Sequence, residues 1–68
     1  MIPVKSSNLN SVGYDAINLT LDIKFHEGHV YRYFKVPLNI YNGLMTAISH
    51  GKYFDQYIKG HYRFIKIR

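Results

Sequence analysis

The chain predicts an α+β domain: a small antiparallel sheet of three to four strands with a central hairpin, one face covered by two short helices. Three observations carry that expectation. Ile17, Leu19, Leu21, Ile23 and Phe25 alternate with Asn18, Thr20, Asp22, Lys24 and His26, the period of a strand with one buried and one wet face. After His26-Glu27-Gly28-His29, the run Val30-Tyr-Arg-Tyr-Phe-Lys-Val36 reads as the returning strand of a hairpin. Downstream, Leu38, Tyr41, Leu44, Met45 and Ile48 recur at helical spacing, with Ala47 beside them.

Sixty-eight residues make one small domain with a modest core, since a chain of this size buries only about 60% of its unfolded surface. Cysteine is absent, so neither a disulfide nor a thiolate metal site can staple it. At 47% hydrophobic residues it is not a disordered tail. No apolar run approaches the roughly 18 residues of a membrane span. Met1-Ile-Pro-Val-Lys5 is too short and too broken for a signal peptide, so a cytoplasmic protein is the expectation. Nine Lys and Arg oppose four Asp and Glu, a formal net charge of +5 that favours anionic partners. A charge of this size also serves plain solubility in small domains.

The hairpin loop admits two readings with different consequences. A two-residue Glu27-Gly28 turn is poor, because it needs a positive φ at Glu27 or glycine at the first position. A four-residue His26–His29 loop opposes Phe25 to Val30 and places Val30, Phe34 and Val36 inward, with Tyr31, Tyr33 and Lys35 outward. A three-residue loop with Gly28 left-handed opposes Phe25 to His29 and turns the tyrosines inward. The hydrophobic pattern favours the four-residue loop.

Around the hairpin, Ser11-Val-Gly-Tyr-Asp15 reads as a first strand. Pro3 is unsuited to a central one. Pro37 ends the ribbon and fits a first helical turn. Gly43 weakens the following helix by about 1 kcal/mol relative to alanine, so packing must hold it. Ser49 can cap a second short helix over Lys52 to Lys59, with Tyr53, Phe54, Tyr57 and Ile58 as its apolar side. Gly60 fits a helix stop. Tyr62 to Arg68 alternates imperfectly, as a last strand with Phe64 facing inward.

These residues resemble the KTSC domain, a short bacterial and phage module also found at the C-terminus of some lysyl-tRNA synthetases. The resemblance runs through Ser7-Asn8, Gly13-Tyr14-Asp15, Leu21-x-Ile23-x-Phe25-x-x-Gly28 and Tyr31-x-Tyr33. It continues through Val36-Pro37, Tyr41, Ala47-x-Ser49-x-Gly51-x-Tyr53-Phe54, Ile58 and Tyr62. It covers about Ser6 to Tyr62, leaving a basic segment from Arg63 to Arg68 at or beyond the usual end. It implies a module suggested to bind RNA and carries over no catalytic residue.

Read from the residues, Tyr31 and Tyr33 are the sharpest feature, because aromatics two apart on a strand share a face. Beside Lys24 and Lys35 such a pair can stack bases and hold phosphates. Tyrosine also simply favours strands and packs across pairs there. Lys52, Lys59, Arg63, Lys66 and Arg68 can neutralise phosphates or form a solvated face. Arg32 can fork onto a phosphate or base edge, or pair with Asp22, Asp15 or Glu27. The nucleic-acid contact set expected is therefore Tyr31, Tyr33, Arg32, Lys24, Lys35, Lys59, Arg63, Lys66 and Arg68.

Other chemistries find less support. His26, His29, His50 and His61 lack spaced carboxylate or thiolate partners for a tetrahedral metal site. Ser49-His50 adjacency does not place a nucleophile against a base, and no phosphate-cradling glycine loop exists. No catalytic residue, metal or cofactor is expected. RNA or another nucleic acid is the expected partner. The alternative is a protein-interaction module, such as a phage-type inhibitor of an acidic host protein, using the aromatic surface or a free sheet edge. A homodimer across an exposed edge is compatible with either.

Overall fold

The computed structural model describes residues 1–68 and has five strands rather than three to four. They are β1 (Ile2–Pro3), β2 (Leu9–Asp15), β3 (Thr20–Phe25), β4 (Val30–Tyr33) and β5 (Phe64–Lys66), antiparallel in that spatial order. The strand missed in the sequence is β1. It pairs Ile2 with Val12 and Pro3 with Ser11 at the sheet edge, where a proline without an N–H costs the ladder nothing. Between β4 and β5 lie helix α1 (Leu38–Thr46) and helix α2 (His50–Tyr53), which continues as a wider π-type turn over Phe54–Ile58.

The hairpin uses the three-residue loop, which corrects the expected register. Leu21 opposes Tyr33, Ile23 opposes Tyr31 and Lys24 opposes Val30, so Phe25 faces His29. The Phe25 N–H donates to the His29 carbonyl at 2.9 Å, and the Gly28 N–H donates to the Phe25 carbonyl at 2.9 Å. Gly28 sits at φ 103°, where a Cβ is strained. Turn chemistry thus outweighs hydrophobic count. Tyr31 and Tyr33 share the helix-covered face with Leu21 and Ile23, and Tyr33 is only 4% exposed.

The apolar count misled because the strand ends early. Lys35 adopts a left-handed φ of 56°, which breaks the alternation and swings Val36 into the core. The Val36 N–H then donates to the carbonyl of Leu19, the other non-glycine residue at φ 56°. Upstream, Ile17 and Leu19 are not on the strand face as expected. The Asp15 carboxylate accepts the Ile17 N–H at 2.9 Å and the Asn18 N–H at 3.2 Å, building a turn that delays β3 to Thr20 and leaves Ile17 exposed.

The core lies between the sheet and the helices: Leu9, Val12, Leu21, Ile23, Tyr33, Val36, Leu44, Phe54 and Ile58. An irregularity between Leu9 and Ser11 keeps both Leu9 and Val12 on the covered side. The Tyr14 hydroxyl donates to the Val36 carbonyl at 2.6 Å, and its ring stacks on Tyr41 at 4.5 Å, tying β2 to the entry of α1. Burial, with a smaller contribution from Asp15, raises the Tyr14 phenol above its ordinary pKa.

Helix α1 ends at Thr46, before the expected Ile48. Ala47 is extended, so Ile48 points to solvent; Leu38, in the first turn, is exposed as well, and Leu44 anchors the helix. As expected, Ser49 caps α2, its hydroxyl accepting the Lys52 N–H at 3.2 Å, and Gly60 follows the helix at φ 79°. His50 Nδ1 lies 2.7 Å from the Leu44 carbonyl and joins the two helices.

Three consequences are measurable. Gly28→Ala loses about 1 kcal/mol in urea unfolding, because alanine must adopt the left-handed turn. At Gly43 a Cβ would meet the Tyr53 ring, 2.7 Å from its Cζ. Gly43→Ala therefore destabilises: an overpacking cost of about 1–3 kcal/mol outweighs a propensity gain of about 1 kcal/mol. A more stable Gly43→Ala protein would contradict that packing. Burial, with Tyr31 adding, pushes the Tyr33 phenol up to about 12. The fold prefers the neutral phenol, so this stability is intact below the unfolded value near 10 and declines as pH rises toward 12. Phenolate absorbance followed alongside thermal melts checks this, and Tyr33→Phe should flatten the alkaline loss.

Candidate functional site

The helices do not reach the β5 end of the sheet. There Phe64 lies opposite Tyr33 and remains 52% exposed, although its ring touches those of Tyr31 and Tyr33 at 5.6 and 5.4 Å. Phe25 meets Tyr31 edge-on at 5.6 Å and Phe54 edge-on at 5.6 Å, so β3, β4, β5 and the second helix contribute to one continuous aromatic floor. Such edge-to-face pairs add about 0.5–1.5 kcal/mol each beyond area burial, which holds the rings in place.

Above this floor opens a groove of about 470 Å³. Asn8 and Glu27 border it from the β1–β2 connection and the hairpin loop, and Asp55, Lys59 and Gly60 from the end of the helical segment. Lys66 lies opposite Tyr31 on the same face of the sheet. The groove therefore combines aromatic faces, two carboxylates and the Lys59 ammonium group. Asp22 and Asp15 are occupied elsewhere, in an ion pair and a turn, whereas Glu27 and Asp55 form no ion pair and no side-chain hydrogen bond.

The expected contact residues divide between the two faces. Tyr31 and Lys59 line the groove, and Lys66 pairs with Tyr31 on the same sheet face just outside the lining; Tyr33 lies in the floor but is sealed, so it has no free ring face for a base. Lys24 and Arg32 lie on the opposite face. Arg32 is already forked onto Asp22, Nε to Oδ1 at 2.8 Å and Nη2 to Oδ2 at 2.9 Å, directly across the strand pair. That hydrogen-bonded carboxylate holds the guanidinium even higher than its ordinary pKa. Lys35 projects at the end of β4, Arg63 precedes β5, and Arg68 closes the sheet margin beside Val30, all exposed. Phe25, Phe54, Phe64, Glu27 and Asp55 line the groove without belonging to the contact set that the sequence predicts. The three-residue loop was the signal that would have placed Phe25 beside Tyr31.

On the opposite face, Gly13, Asp15, Asn18, Thr20, Asp22, Arg32 and Phe34 line a second, polar depression of about 550 Å³. Arg32 and Asp22 satisfy one another there and Asp15 is taken up by its own turn, which leaves little to recruit a ligand. His26 places Nε2 2.7 Å from the Ser6 carbonyl, and no three histidine or acidic side chains cluster together. No helix is long and apolar enough to cross a membrane.

Comparison with known proteins accounts for the resemblance. The solved structure of a KTSC domain protein from Yersinia pestis superposes with a TM-score of 0.94 at 42% identity, covering 97% of this chain and 93% of that one. A protein of Stutzerimonas stutzeri is 39% identical over 67 residues, 97% of this chain and 94% of its own length. A lysine–tRNA ligase of Trichormus variabilis is 36% identical over 64 residues, which span 94% of this chain but 11% of the ligase. A KTSC domain profile matches residues 5–62, and the chain belongs to the KTSC domain family.

Proposed function

We propose that this domain is a non-enzymatic module that binds single-stranded nucleic acid, RNA in the first place, in the aromatic groove at the β5 end of the sheet. Tyr31 and Phe64 stack bases, Lys59 supplies an ammonium group within the groove, and Lys66 and Arg63 hold phosphates outside it. The observation that carries the reading is Phe64: a large aromatic, 52% exposed, in contact with the half-buried Tyr31 and beside Lys59. Isolated exposed rings need no explanation, but a contiguous aromatic strip in a groove marks a contact surface. The net charge of +5 supports an anionic ligand, and the occurrence of a similar segment in lysine–tRNA ligases supports RNA. Lys24, Arg32, Arg68 and Lys35 drop to peripheral roles: Lys24 and Arg32 lie on the opposite face, Arg68 lines a depression there with Asp22 and Val30, and Lys35 stands beyond the end of β4.

A second reading rests on a separate observation. Strand β5 is the sheet edge and all three of its residues are exposed, so a protein partner can add a strand there. A stoichiometric protein that stays bound after nuclease treatment favours this reading over the first.

The test is a salt titration of binding to short single-stranded RNA. With two phosphates engaged, log Kd should change by about 1–2 per decade of salt. Phe64→Ala should weaken binding by about 1–3 kcal/mol, and Tyr31→Ala similarly. Phe64 is half exposed, so its loss leaves the fold intact. A salt slope with unchanged affinity in Phe64→Ala would reduce the interaction to charge alone.

A further inference from the structure

Resting on that reading, we infer that the groove selects guanine among the bases. Purely phosphate-holding sites exclude carboxylates, yet the two acids this chain leaves unpaired, Glu27 and Asp55, both border the aromatic floor. With only four acids against nine Lys and Arg, placing both unpaired ones here sets the chemistry of the groove. A phosphate would be repelled at that rim; a donor-rich base edge would not. Carboxylates only accept hydrogen bonds when ionised, so their partner must present N–H groups.

Among the four bases, guanine alone offers two adjacent donors on its Watson–Crick edge, the N1–H and the 2-amino group, which match the two oxygens of one carboxylate. Adenine and cytosine offer one amino donor beside a ring acceptor. Uracil places its single N–H between two carbonyl oxygens that a carboxylate repels. Guanine also carries O6 and N7, acceptors suited to an ammonium group, and Lys59 borders the same groove. The base thus stacks on Tyr31 and Phe64, gives its donors to Glu27 or Asp55, and takes the Lys59 ammonium on its acceptor side. Phosphates pass outside, along Lys66 and Arg63.

Fluorescence anisotropy decides this with a short uridine oligomer carrying one central guanosine, inosine, adenosine or cytidine. Guanosine should bind about tenfold more tightly than inosine, which lacks only the 2-amino group, and than adenosine. Whichever of Glu27→Gln and Asp55→Asn removes the accepting carboxylate, both at exposed positions, should bring the guanosine-to-inosine ratio to near one, while the uridine oligomer binds at least as tightly as before. Equal affinity for all oligomers, still lowered by Phe64→Ala, overturns guanine selection and leaves the stacking site standing. Absence of binding to every oligomer at low salt overturns both. An arginine-rich peptide that binds in a manner lost on Asp55→Asn, with no base preference, assigns the groove to a cationic protein segment and overturns the inference.

Discussion

One residue of loop length governs this fold. With Gly28 left-handed and the Phe25 N–H bonded to the His29 carbonyl, the returning strand is held in a register that sends Tyr31 and Tyr33 beneath the helices. A loop one residue longer would turn every side chain of β4 to the opposite face. Tyr33 can then no longer close the core against Phe54, and Phe64 on β5 loses the neighbours that make it part of an aromatic strip. Core and candidate groove are two ends of one row of side chains, and both follow from the turn.

The positions that resemble the family pattern read as scaffold in this light. Gly13-Tyr14-Asp15, Val36-Pro37 and Tyr41 converge on one junction, where the Tyr14 hydroxyl holds the Val36 carbonyl, its ring stacks on Tyr41, and Asp15 forms the adjacent turn. Ser49, Gly51 and Phe54 shape the second helix: Ser49 caps it, Gly51 passes close to Ser6 Oγ, and Phe54 enters the core. A chain of this size has few residues to spare for its core, so a motif spread over most of it is dominated by packing and turns.

Much of this was legible in the sequence. The part of the period-two run from Thr20 to Phe25, the helical spacing of Tyr41, Leu44 and Met45, the Ser49 cap and the Gly60 stop are each local patterns with local causes, and the structure bears them out. What escaped reading depended on pairing. Ile2–Pro3 is a strand only because Val12 and Ser11 offer an edge. Ile17 and Ile48 satisfied a period yet lie in solvent, because Asp15 captured backbone N–H groups in one case and Ala47 extended the chain in the other. Lys35 at positive φ has no sequence signature, and that single residue made Val36 mimic an inward strand position. The tyrosine pair was rightly read as sharing a face; which face depended on the turn.

The apolar surface left over separates into two kinds, and the difference is what gives the groove its meaning. Ile17 and Ile48 are isolated at loop positions, where exposed hydrophobics are ordinary. Phe64 is different, since its ring continues a chain of edge-on contacts through Tyr31 to Phe25 and Phe54. The helical layer does not cover that strip: the second helix ends at Ile58, Gly60 follows at φ 79°, and the chain returns through His61 and Tyr62 to place β5 at the open margin. Charge follows the same division. On the opposite face Arg32 is neutralised by Asp22, while around the groove Glu27, Asp55 and Lys59 stay unpaired. Unpaired charges of both signs beside the exposed Phe64 ring suit the proposed ligand, with its flat apolar face and polar edges. A stacked base, as proposed, would use both the ring and the polar rim, whereas a plain hydrophobic partner surface would leave the charged groups unused.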